Sequence, residues 1–151
     1  MRYINKSNAH HYILGSMSPL GVTLKTSGGA ALIAKEIILL TDGMPATTVW
    51  FLLMILIMTL SDVLNNTATA VIGAPIALEI ATQLNVNPDP FLMAVAVAAS
   101  CAFLTPIGHK NNTLIMGPGG YKFSDYWRMG LPLEILIILV AVPSILFFWP
   151  L

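Results

Sequence analysis

Apolar residues run along this chain in long blocks, and the polar residues that interrupt them are few and clustered. Residues 46–64 carry a single charge, Asp62, and predict the cleanest membrane helix. After Asn65-Asn66-Thr67 the apolar character resumes over residues 68–84, with Gly73, Pro75 and Glu79 inside it. Residues 85–90 hold Pro88 and Pro90 and predict a loop. Residues 91–104 predict an alanine-rich helix that stops at Thr105-Pro106; small residues let membrane helices approach closely. Residues 105–113 are polar, and Leu114, Ile115 and Met116 restore the apolar character only briefly before the loop Gly117-Pro118-Gly119-Gly120. Tyr121, Phe123, Tyr126 and Trp127 beside Lys122, Asp125 and Arg128 have the pattern of a headgroup-level segment. Residues 131–151 predict the final span.

The upstream part is less regular. Residues 1–11 form a polar N-terminal end, and residues 12–24, with Gly15, Pro19 and Gly21, predict the tail of a helix that breaks. Residues 25–29 are a turn cluster, residues 30–41 a helix carrying Lys35 and Glu36, and Asp42-Gly43-Met44-Pro45 a stop and restart.

Composition turns this pattern into a membrane class. Hydrophobic residues make up 56% and charged residues 9% of the chain, and mean hydropathy is +0.80, whereas soluble domains carry about 25% charge. An all-α integral membrane protein follows, with a lipid bilayer as its solvent, and 151 residues allow about four to six membrane segments. Seven basic and seven acidic residues balance, and no basic block points to nucleic acid. Cys101 is the only cysteine, so no disulfide or thiolate metal site forms within one chain. Residues 1–11 lack the ordered regions of a signal peptide. No His/carboxylate metal spacing, nucleophile elbow or phosphate loop is present, which argues against an enzyme.

Lys122 and Arg128 place the loop at 117–130 in the cytoplasm, and the loops at 42–45 and 85–90, without Lys or Arg, outside. Residues 44–84 fit either two crossings or a re-entrant hairpin; the lack of basic residues around Asn65-Asn66-Thr67 favours the hairpin.

The two Asn-Asn-Thr triplets, Asn65-Asn66-Thr67 and Asn111-Asn112-Thr113, carry the candidate chemistry. Hydrocarbon satisfies no amide or open carbonyl, so such backbone is tolerated at membrane depth only where protein covers it or it lines a cavity. Transporters put their substrate and ion sites on interrupted helices of this kind. Asn65, Asn66 and Thr67 present oxygens for a hard cation and a helix N-terminus for an anion. The alternative is an ordinary interhelical turn, where Asn is favoured anyway. Both triplets are formal glycosylation sequons, against which their apolar flanks argue. Thr105-Pro106-Ile107-Gly108 must break a helix, either in mid-membrane or in a surface loop. Asp62, Glu79 and Glu134 lie near segment ends, where snorkelling or an interface position is expected; Asp62, one turn from Asn66, is the best functional candidate among them. His109 and Lys110 either touch an anion at the break or sit in a wet cavity mouth. Cys101 reads as helix packing, and Met44, Met54, Met58 and Met93 as membrane filler.

Leu64-Asn65-Asn66-Thr67-Ala68-Thr69-Ala70 resembles the Ser-Asn-Thr signature of the divalent anion:sodium symporter family, in the ion transporter superfamily. Residues 102–108 through Gly117-Pro118-Gly119-Gly120-Tyr121 resemble that family's broken helix, and Asp125-Tyr126-Trp127-Arg128-Met129-Gly130-Leu131-Pro132 its lead into the final helix. The match is nearest to bacterial permeases of the sodium:sulfate or citrate-transporter-like kind and runs from about residue 14 onward. The resemblance implies two inverted repeats, each with a re-entrant hairpin and a broken helix. Residues 12–151 would be the C-terminal one: hairpin about 44–84, broken helix about 91–117, final span about 131–151. It implies sodium-coupled symport of a di- or tricarboxylate or sulfate, by an elevator-like motion of the binding domain against a dimer scaffold, in a bacterial inner membrane. Asn65, Asn66, Thr67, Thr105 and Pro106 would hold sodium, and Asn66, Thr67, Thr105, Pro106 and Asn112 the small anionic substrate. Asn65 replaces the signature Ser, and Ile107 the second Pro of the family's Thr-Pro-Pro form. The N-terminal repeat is missing, so the chain is expected either to work beside another polypeptide that supplies it or to be a truncated, non-transporting fragment or assembly subunit.

Overall fold

The computed structural model describes residues 23, 24 and 26–151; the polar end at 1–11 and most of the breaking helix at 12–24 lie outside the described residues. The elements are α1 (Gly29–Leu40), α2 (Ala46–Val63), α3 (Asn66–Leu84), α4 (Asp89–Ala99), α5 (Lys110–Met116) and α6 (Phe123–Phe148), with no strand among the described residues. Three of them, α2, α3 and α6, are long and apolar enough to cross a membrane.

The short helix α4 is the hub: it packs on α2, α3 and α6, while α1 packs on α3. In α2 the buried residues come in pairs every four positions, Val49 and Trp50, Leu53 and Met54, Ile57 and Met58, Ser61 and Asp62. That spacing is one face of a helix. The opposite face, with Leu52, Ile55, Leu56 and Val63 exposed, is also apolar, as suits a helix whose surroundings are lipid or further protein. α4 offers Phe91, Ala94, Val95, Ala98 and Ala99, all buried. A Cβ at Gly73 of α3 would lie 2.8 Å from Ile57 Cδ1 and 3.1 Å from Val95 Cγ1. Three helices meet at that glycine, and its missing side chain sets their spacing.

Local chemistry sets the ends. The Thr41 hydroxyl donates to the Ile37 carbonyl at 2.8 Å and closes α1. Asn65 caps α3 by accepting from the Ala68 N–H at 2.8 Å. Asn85, at φ 54°, ends α3 in the left-handed region, and the Val86 N–H returns to the Ala81 carbonyl at 3.0 Å. Asp125 accepts from the Lys122 N–H at 2.8 Å at the start of α6.

Two expected boundaries differ. The helix predicted over 91–104 ends at Ala99, and residues 101–109 are non-helical before α5. With 11 residues, α4 is ~16 Å long, about half the ~30 Å hydrocarbon thickness. The final helix begins at Phe123, not residue 131, because the aromatic segment is continuous with it through Pro132.

Candidate functional site

The break after α4 lies against the last turn of α2 and the tip at Asn65. Ser61, fully buried, donates to the Ala99 carbonyl at 2.7 Å. Three oxygens, Ser61 Oγ, the Ala99 carbonyl and the Gly108 carbonyl, surround one end of the Asn66 amide at 3.2 Å each, and the hydrogen-bonding pattern assigns that end to the side-chain nitrogen. Asn66 therefore ties the start of α3 to both ends of the break. Asp62 holds the middle: its Oδ1 accepts from the Leu104 N–H at 2.9 Å, and its backbone carbonyl accepts from the Thr105 hydroxyl. The same Thr105 oxygen accepts from the N–H groups of Ile107 and Gly108 at 3.2 and 3.3 Å, a local turn of the kind Thr forms when a helix stops.

The second triplet closes the other side. The Asn112 amide donates to the Ala102 carbonyl at 3.2 Å and the Thr105 carbonyl at 3.4 Å. The Thr113 hydroxyl donates to the Pro106 carbonyl at 2.6 Å, and the Tyr126 hydroxyl to the Asn112 carbonyl at 2.6 Å. Carbonyls at Ala99, Ala102, Thr105, Pro106 and Gly108 thus all receive side-chain donors. Protein satisfies this irregular backbone, the condition under which such backbone is tolerated at membrane depth.

Of the residues singled out from sequence, Asn66, Thr105, Pro106 and Asn112 join this network. The Asn65 oxygen is engaged in its cap, and Thr67 is exposed. Helix geometry leaves the N–H groups of Asn66 and Thr67 without intrahelical acceptors. His109 is exposed, and the side chain of Lys110 lies outside the described positions. Glu79 sits on the surface of α3 and accepts from Gln83 at 3.1 Å. Asp62 and Glu134 do not snorkel: they are 3% and 7% exposed, packed inside the protein. Ser61, not Asp62, is the neighbour that meets Asn66. Ser61 gave no signal in the sequence beyond being polar within an apolar run; Thr113 stood out only as part of the second triplet and Tyr126 only as part of the aromatic segment, neither as a donor to the break.

Asn112 also lines a cleft of about 560 Å³ between α5 and the start of α6, with Phe103, Ile115, Tyr126, Met129 and Leu133 among its walls. Those walls are mainly apolar, so the cleft does not have the chemistry of a dianion site. The oxygen- and amide-rich zone is the break itself, where the start of a long helix meets an opened backbone.

Comparison with known proteins agrees with this architecture. The family described as citrate transporter matches residues 8–151. An uncharacterized transporter of Escherichia coli, YfbS, is 40% identical over 91% of this chain and 23% of its own length. An uncharacterized transporter of Synechocystis is 35% identical over 86% of this chain and 21% of its own length. A protein of Staphylococcus saprophyticus named as a sodium-dependent dicarboxylate transporter is 28% identical over 87% of this chain and 28% of its own length. The chain therefore spans less than a third of the length of these relatives. With a family match over nearly all its residues and three helices fit to cross a bilayer, this chain belongs to the citrate transporter family of multi-pass membrane transport proteins.

Proposed function

We propose that the chain takes part in sodium-coupled symport of a divalent anion, a di- or tricarboxylate or sulfate, and supplies half of the binding site. The observation that carries this reading is the Asn66 amide. Its nitrogen is held by Ser61, Ala99 and Gly108, so its oxygen is left for a ligand outside that network. Asn65, Asn66 and Thr67, with Thr105 and Pro106 in the break, offer the oxygens a sodium ion takes. The N-terminal N–H groups of α3, with Thr67, Thr105, Pro106 and Asn112, would face one side of the anion. Relatives named as sodium-dependent dicarboxylate transporters support sodium as the coupling ion and a carboxylate as the cargo. The other half of the site would come from the N-terminal repeat, and a homodimer would provide the scaffold.

Uptake by the complete assembly in proteoliposomes tests this. Sodium-driven uptake of labelled dicarboxylate or sulfate is expected to be lost in Asn66→Ala and in Thr67→Ala. Unchanged uptake in both would refute the assignment. A chain that supports no uptake beside any N-terminal half would instead be a non-transporting subunit.

A further inference from the structure

Asp62, in the last turn of α2, and Glu134, in α6, are both more than nine-tenths buried. Their carboxyl groups lie within hydrogen-bonding reach of one another. Asp62 Oδ1 is engaged with the Leu104 N–H, but Asp62 Oδ2 and Glu134 Oε1 have no partner. While both are ionised the two carboxylates offer only acceptors, so neither can satisfy the other without a shared proton or a bound cation. Buried charges persist when they are paired or coordinate an ion. Among the described side chains no Lys, Arg or His bears on either carboxyl, and the two carboxyls lie close enough to the Cys101 thiol to act on it.

The packing that creates this pair is specific. A Cβ at Gly130, one turn before Glu134, would lie 2.4 Å from the Phe103 carbonyl oxygen. The missing side chain lets α6 press onto the break, and so brings Glu134 to Asp62. It also sets a further oxygen, that of Phe103, against the face of α6 that carries Glu134.

We propose that Asp62 and Glu134 bind a hard, oxygen-preferring cation, with Asp62 Oδ2 and Glu134 Oε1 as its two anionic ligands. No group of three His, Cys, Asp or Glu side chains occurs among the described residues. An all-oxygen pair without imidazole or thiolate suits sodium, magnesium or calcium and not a softer transition metal. The ion would fasten the root of the α2–α3 pair to the final helix. This goes beyond the transport reading, since its ligands are none of the triplet residues.

Thermal unfolding of the whole chain in detergent micelles tests it. Sodium, magnesium and calcium are each compared with choline at matched ionic strength. A cation bound only by the folded state raises Tm in a saturable way. One of the three is expected to do so, and Asp62→Asn and Glu134→Gln are each expected to weaken its apparent affinity about tenfold or more. Both variants keep the side-chain shape and give the remaining carboxylate an N–H donor, so folding is retained. The comparison is repeated in an Asn66→Ala background, which removes the sodium ligand of the transport reading, and the response is expected to remain there. No cation exceeding choline, or a response in that background that survives both amide variants, would overturn the proposal. A response lost altogether in Asn66→Ala would also overturn it, while leaving the transport reading intact. Conversely, uptake indifferent to Asn66 and Thr67 would sink that reading and leave this one standing.

Discussion

Ser61 Oγ donates to the Ala99 carbonyl at 2.7 Å across 38 residues of sequence, and so fastens the last turn of α2 to the C-terminal end of α4. The same hydroxyl lies 3.2 Å from the Asn66 side-chain nitrogen. One buried oxygen thus serves as donor to the break and acceptor from the tip, a use open to a hydroxyl and not to a methyl group.

Ser61→Ala is therefore expected to destabilise the chain although it removes a single atom. It strips the Ala99 carbonyl of the nearer of its two side-chain donors and the Asn66 amide of one acceptor. A cost of about 1–3 kcal/mol follows, read as a lower Tm or denaturant midpoint in micelles. Ser100→Ala is the comparison: Ser100 is exposed, and its hydroxyl bonds only the Ala96 carbonyl one turn back in its own helix. Equal stability of Ser61→Ala and Ser100→Ala would show that the link between α2 and α4 contributes nothing.

Gly108 illustrates a second constraint, of space and not of backbone conformation. A Cβ there would lie 2.6 Å from Ala102 Cβ and 2.8 Å from the Ser61 carbonyl oxygen. The obstructing atoms are backbone or a methyl on backbone, so none can swing away. Gly108→Ala is expected to push the break off α2, lengthening the Asn66–Gly108 contact, and to lower Tm by more than Ser61→Ala does. Gly117→Ala provides the control, since a Cβ at Gly117 meets nothing within 4 Å. Tm values for the two alanine variants that fall together would count against this placement of the break.

How far these features were legible varies along the chain in a way that has physical causes. α2 and α3 were readable because a long apolar run flanked by a polar, helix-capping triplet admits few alternatives, and the turn falls at Asn65. The end of α4 was not. Cys101, Ala102, Phe103 and Leu104 are as apolar as the helix before them, and hydropathy does not separate a buried helix from a buried extended segment. The stop is tertiary: Ser61 and Asn66 take the Ala99 carbonyl, and Asn112 takes that of Ala102. The partnership of Asp62 with Glu134 was hidden for the same reason. Position near a segment end suggested snorkelling, whereas the close approach of Gly130 to Phe103 buries both. Within the site, Asn66, Thr105 and Asn112 could be picked out because amides and hydroxyls amid apolar sequence are conspicuous, but which carbonyl each would meet depends on how α4 and α6 cross.

The remaining prediction concerns the core that positions all of this. Trp50 is fully buried in α2, and its indole N–H donates to the Pro90 carbonyl at 2.7 Å. Pro90 sits in the first turn of α4, so this bond fixes the start of α4 on α2, while Ser61 fixes its end. Trp50→Phe keeps an aromatic ring but leaves the Pro90 carbonyl without that donor and opens a small void. Together these should cost about 1–3 kcal/mol or more. Trp127, in the first turns of α6, is 53% exposed, and Trp127→Phe should stay within about 0.5 kcal/mol of the parent. Intrinsic fluorescence separates the two as well. The buried indole should emit to the blue of the exposed ones and resist aqueous quenchers, so Trp50→Phe removes the protected component and Trp127→Phe only part of the accessible one, the rest coming from Trp149, 37% exposed. If Trp50 is quenched as readily as Trp127 in the folded chain, then α4 is not seated on α2 and the break is not held where Asn66 can reach it.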